Sequence, residues 1–200
     1  VTLTYSRLAR TEPELAYEAG VAISASWIVS LLRMTILAVV LAPALLMPLM
    51  PAIGAAALVL ALTAVGLYHT ARNGTGKPEL RLENPLELGM AIRFGLMLGL
   101  VTAVSKLFAA EIGQMSLLPL AAVTGFADVD PITLSVSQMA GREISLGVAA
   151  LAVLIAAVTN GITKLTLAVT LAPAKIGCIL AGAGAAAVLA GAAAFALTPS

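Results

Sequence analysis

Met115-Ser116-Leu117-Leu118-Pro119-Leu120-Ala121-Ala122-Val123-Thr124-Gly125-Phe126-Ala127-Asp128-Val129-Asp130-Pro131-Ile132-Thr133-Leu134-Ser135-Val136-Ser137-Gln138-Met139-Ala140-Gly141 is the stretch on which the fold turns. Leu117–Gly125 is apolar and reads as one short helix. A second begins at Asp130-Pro131 and ends near Gly141, because aspartate is a good N-cap and proline suits the first helical position. Phe126–Asp130 is the break between them. It sets two acids inside an apolar region, where a carboxylate is expensive and marks a functional candidate.

The surroundings say what kind of solvent that region meets. Of the 200 residues, 60% are hydrophobic and 10% charged, against roughly 25% charged in a soluble domain. Mean hydropathy is +1.05. Eleven Lys and Arg against ten Asp and Glu leave a net charge of +1, too little for a nucleic-acid footprint, which needs clustered basic charge. One cysteine excludes an internal disulfide framework and a Cys-rich metal site. The apolar runs are too long and too rich in Ala and Leu for the alternating strands of a β-barrel. The class is an all-α, polytopic transmembrane helix bundle.

Helices are expected at Leu15–Ala42, at Ala44 or Pro51 to His69, at Asn84–Ala110, at Ile144–Leu171 and at Lys175–Leu197. Pro43, Pro48 and Pro51 divide the first two, since proline lacks a helix donor. The polar loop 72–84 precedes Asn84-Pro85-Leu86-Glu87, a cap, a first-position proline and a capping-box acid. No catalytic triad, zinc spacing or phosphate loop is present, so no enzyme activity and no cofactor are expected.

Self-comparison gives two internal repeats. Val1-Thr2-Leu3-Thr4-Tyr5-Ser6 matches Ile132-Thr133-Leu134-Ser135-Val136-Ser137, Arg33 matches Lys164, and Leu41-Ala42-Pro43-Ala44 matches Leu171-Ala172-Pro173-Ala174 after a one-residue slip. Copy one spans 1–70 and copy two 85–197. Copy one has nothing corresponding to the helices ahead of Ile132. The expectation is a single membrane domain over 1–200, a C-terminal fragment whose partners are the lipid bilayer and an upstream part of the same chain.

If the broken segment crosses the bilayer, Arg7, Arg10, Arg72, Lys77, Arg81 and Arg142 share one side and the copies are parallel. If it returns, Arg142 changes sides and the copies are inverted. The charge count leans to a crossing, with loop 72–84 cytoplasmic by the positive-inside rule.

Candidate residues follow. Asp128 and Asp130 are acids beside a helix break and the only metal candidates, although Asp130 doubles as a cap. Thr133 and Ser135 follow them. Asn160, Thr163 and Lys164 share a helix face, with Lys164 either paired to Asp128 or reaching the headgroups. Arg33 sits at the matching place in copy one, near Ser26 and Ser30. Arg93 faces either the acids or the headgroups. Gly177, Gly184 and Gly191 line one face, for packing or for contact with a second copy of the chain.

Asn84-Pro85-Leu86-Glu87-Leu88, Phe94-Gly95-Leu96, Gly125–Ser135, Asn160 and Lys164 together resemble the C-terminal membrane domain, of unknown function, attached to many MgtC/SapB-type bacterial inner-membrane proteins. The resemblance covers nearly the whole chain, with Asp-Val-Asp-x-x-Thr-Leu-Ser its most specific part. It implies a bacterial inner membrane and a link to ion or magnesium homeostasis. The residues themselves point to small-ion transport or permeation; the alternative is a non-transporting regulatory or assembly module.

Overall fold

The computed structural model describes residues 1–12, 15–71 and 88–197. Loop 72–84 and the Asn84–Glu87 cap lie outside the described residues. Among the described residues eight α-helices follow one another: α1 (Thr2–Thr11), α2 (Ala16–Leu41), α3 (Leu46–Ala71), α4 (Leu88–Glu111), α5 (Leu117–Ala127), α6 (Asp130–Met139), α7 (Leu146–Leu171) and α8 (Ala174–Ala196). The fold is all-α. Five of the helices, α2, α3, α4, α7 and α8, are long and apolar enough to cross a membrane. Their surface carries Val29, Ile36, Met47, Leu62, Leu96 and Leu189, all more than half exposed, as a multi-pass membrane protein requires of helices facing lipid.

The turn between α2 and α3 is made at Ala42–Leu45 with Pro43 opening it. Pro51 lies inside α3, so the three prolines mark one turn and a helix interior rather than a turn alone. α1 is a separate short helix, and its backbone continues to Glu12, whose N–H bonds the Leu8 carbonyl at 2.8 Å.

The helices form two compact units. Unit one holds α1, α2 to Arg33, α3 from Met50, the end of α7 from Gly161, and α8. Its core gathers Ile23, Trp27, Leu60, Leu67, Ile176 and Leu180. Three contacts set its directions. Lys175 Nζ lies 5.4 Å from the Tyr17 ring centroid, and Gly20 packs on Leu67 and Ile176. The start of α2, the end of α3 and the start of α8 therefore share one end. Trp27 Nε1 donates to Thr2 Oγ1 at 3.2 Å. Trp27 is about 16 Å along α2 at about 1.5 Å per residue, so α1 folds back on α2 and begins near half depth.

Unit two holds α2 and α3 residues 34–49, α4, α5, α6 and α7 to Asn160. Thr102 of α4 bonds Ser135 of α6 at 2.8 Å. Further along both, Lys106 Nζ meets Glu143 at 3.6 Å, and Gln114 Oε1 accepts the Ser145 N–H at 2.9 Å. α4 and α6 thus run in the same direction, and α5 runs against them. The broken segment does not cross: α5 enters from the end at which α4 stops, and α6 returns to it. This corrects the crossing favoured by the charge count. The two arms have 11 and 10 residues, about 15 Å each and half of a hydrocarbon core of about 30 Å. End to end they are long enough to span, so length alone did not reveal the return.

Glycines shape both mouths of this hairpin. Gly113 (φ 101°) precedes α5 and Gly141 (φ 71°) follows α6, both in the left-handed region that side chains disfavour. Gly125 lets α5 touch α7. A β-carbon there would lie 2.6 Å from the Ala156 carbonyl oxygen and would collide with Thr159 Oγ1.

Candidate functional site

The tip of the α5–α6 hairpin is built from Asp128, Val129 and Asp130. α5 stops because Asp128 turns extended (φ −156°, ψ 137°). Its Oδ1 then accepts the backbone N–H of Asp130 at 3.1 Å, satisfying one of the free donors at the start of α6. The capping bond is therefore made by Asp128, not by Asp130, which is itself the first residue of α6. Asp130 is buried, with 7% of its surface exposed, and Asp128 is half-buried. Both stand where a helix N-terminus adds partial positive charge, which favours carboxylates.

α6 is polar and yet enclosed. Asp130, Thr133, Ser135 and Ser137 are all buried along with its apolar residues. Thr133 Oγ1 donates to the Val129 carbonyl at 2.7 Å and Ser135 Oγ to that of Pro131 at 2.8 Å. Since Ser135 has one hydroxyl hydrogen, Thr102 is the donor in the bond between them. A helix that ends at half depth must keep its free backbone groups inside protein, and α4 and α5 pack on α6.

The structure thus brings Asp128, Asp130, Thr133 and Ser135 together. Asn160 and Thr163 are half-buried on α7. Lys164 is half-buried too, and its Nζ donates to Ser30 Oγ at 2.6 Å, tying α7 to α2 inside unit one. Its polar contact is within the protein rather than with headgroups alone. Arg33 and Arg93 are exposed. The Gly177, Gly184 and Gly191 face is used internally. Their β-carbon positions lie 3.3 Å from Val169 Cα, 3.5 Å from Leu165 and 3.1 Å from the Ala52 carbonyl. These glycines pack against α2, α3 and α7. Among the described residues no three His, Cys, Asp or Glu side chains converge.

A domain of unknown function, DUF4010, matches residues 1–172. The chain belongs to the DUF4010 family. An uncharacterized protein of Aquifex aeolicus (strain VF5) is 25% identical over 166 residues, covering 82% of this chain and 72% of that protein. No solved structure matches.

Reading the sequence of this DUF4010 chain missed Thr102 and Ser105. Both lie in a strongly apolar span and carry no signal beyond being hydroxyls three residues apart, on one face of α4. Gln114 was missed as well, because its role depends on Ser145, far along the chain.

Proposed function

We propose that this DUF4010 chain is a small-ion transport or permeation domain, with the tip of the α5–α6 hairpin as its ion site. The observation that carries the reading is a buried, hydroxyl-rich half-helix that starts near half depth with two carboxylates. Half-helices ending at mid-membrane are the usual ion and substrate sites of secondary transporters. Asp128 and Asp130 act as cation ligands or proton carriers, and Thr133 and Ser135 supply further oxygens. An all-oxygen donor set suits a hard cation or a proton. With only two acids at the tip, the binding is weak and reversible, as conduction needs.

The repeats fit the same reading. α1 and α6 have 10 residues each, and α2 and α7 have 26 each. α7 starts at the mouth of the hairpin and ends at the turn into α8, beside which α2 starts. Within unit one α7 and α2 run in opposite directions, as inverted copies would, an arrangement common in transporters. The charge bias survives, because Lys175 changes sides together with Arg142. Arg7, Arg10 and Lys175 lie toward one end of unit one, which we assign to the cytoplasm, keeping the sequence expectation of a cytoplasmic loop 72–84. The MgtC/SapB resemblance supports a bacterial inner membrane and puts Mg²⁺ first among the ions to try.

The test is flux into proteoliposomes with imposed Mg²⁺, Na⁺, K⁺ or proton gradients. Wild type conducts at least one of them, and Asp130→Asn loses that flux. Sealed vesicles of folded wild type that pass none of the four would favour the regulatory or assembly module instead.

A further inference from the structure

Buried hydroxyls in these helices follow a habit. Ser24, Thr133, Ser135 and Thr159 each donate to a carbonyl one turn back, and Thr2 accepts from Trp27. This is the ordinary way a helix absorbs a hydroxyl without water. Among the described residues Ser6, Ser105 and Ser137 depart from it. They are at most 1% exposed, and their hydroxyls make no hydrogen bond. A buried polar group without a partner forfeits its hydration and gains nothing for it.

Two of the three occupy the same place in the repeat. The offset that aligns Val1-Thr2-Leu3-Thr4 with Ile132-Thr133-Leu134-Ser135 puts Ser6 on Ser137. Each is four residues past a buried threonine, Thr2 or Thr133, on the same helix face. On α6 that face starts at Asp130, so Asp130, Thr133 and Ser137 form one buried stripe from half depth toward the hairpin mouth. On α1 the face starts at Thr2, near half depth beside Trp27, and Ser6 lies toward the end where α2 begins. The same unfavourable arrangement in two elements of different surroundings points to a common use.

We propose that Ser6 and Ser137 are ligand hydroxyls on two entry paths, one in each unit, each passing a small hydrated cation between mid-depth and the end toward which its own helix runs. This rests on the ion-transport reading above and adds to it where the ion travels. The donors along the α6 stripe are oxygens only, with a carboxylate at its inner end. That composition attracts a cation and repels an anion. The hydroxyls left unbonded within their helices are the ones free to replace water around it.

The experiment is cysteine labelling. Cys178 is the chain's one cysteine, so Cys178→Ser gives a silent background for Ser6→Cys and Ser137→Cys. The full chain is placed in vesicles of either orientation and treated with a membrane-impermeant methanethiosulfonate carrying a trimethylammonium group, or with its sulfonate counterpart. Both cysteines are expected to react, each from a single side of the membrane, and about tenfold faster with the cationic reagent. Val136→Cys and Leu180→Cys, fully buried apolar positions, are expected to stay unreactive. Unreactive cysteines at 6 and 137 in protein whose exposed Arg142→Cys does react would overturn the proposal. So would a faster anionic reagent, or equal labelling at 136 and 180. If Asp130→Asn abolishes flux while Ser137→Cys stays unreactive, the paths fail and the ion site at the hairpin tip stands.

Discussion

Gln114 and Ser145 hold the two ends of the broken helix together: the Gln114 side-chain oxygen accepts the Ser145 backbone N–H at 2.9 Å. Ser145 in turn caps α7, its hydroxyl accepting the Val148 N–H at 3.3 Å. One glutamine thus fixes where the hairpin enters, where it leaves, and where the next crossing starts. Everything proposed about the ion site depends on this return, because it is what leaves Asp128 and Asp130 at half depth.

Charge and capping separate at Asp128. Asparagine keeps the oxygen that accepts the Asp130 N–H, so Asp128→Asn folds with nearly wild-type thermal stability in detergent and loses ion flux. Asp128→Ala also loses the cap, which lowers stability by about 0.5–2 kcal/mol. Equal stability of the two variants, read from their melting midpoints, would contradict the capping role.

Gly125 is the point at which α5 and α7 touch. A methyl group there meets the Ala156 backbone, which cannot move aside as a flexible side chain would. Gly125→Ala therefore costs about 1–3 kcal/mol or more and lowers the yield of monodisperse protein. Gly147→Ala, where nothing lies within 4 Å of the added carbon, is expected to be neutral or slightly stabilising.

The Thr102–Ser135 bond is measurable as a coupling. Thr102→Val and Ser135→Ala, singly and together, should give a coupling energy of about 0.6 kcal/mol, the average for interhelical hydrogen bonds in membranes. Additive effects would mean that the bond does not join α4 to α6 in the folded protein.

At the hairpin mouth, Lys106 and Glu143 are each about half exposed. Exposed pairs contribute about 1 kcal/mol or less, so Lys106→Gln barely changes the melting midpoint. Its effect belongs in flux. Removing a positive charge from the mouth raises the initial rate of cation entry at low ionic strength, and added salt erases the difference. A rate insensitive to salt in both proteins would place the mouth elsewhere.

The sequence alone disclosed much of this fold, because hydropathy and proline placement report directly on spans and turns. The five long helices, the break at Phe126–Asp130 and the start of α6 were legible for that reason. The return of α6 was not. It is encoded in pairings between residues about 30 apart, Gln114 with Ser145 and Thr102 with Ser135, which no local pattern announces. The acids were visible as rare charges in an apolar run, whereas Asp128's bond to the Asp130 N–H depends on one dihedral pair at the end of α5. The glycine face of α8 showed its period but not its neighbour, and only packing against Val169, Leu165 and Ala52 resolved it.

The central claim is that the segment from α5 to α6 enters and leaves at one end of the protein. In the Cys178→Ser background, Ile112→Cys and Arg142→Cys place single thiols at exposed positions just before and just after it. An impermeant thiol reagent added outside sealed, uniformly oriented vesicles decides the matter. The account predicts that both positions label from the same side; labelling of the two from opposite sides would contradict it.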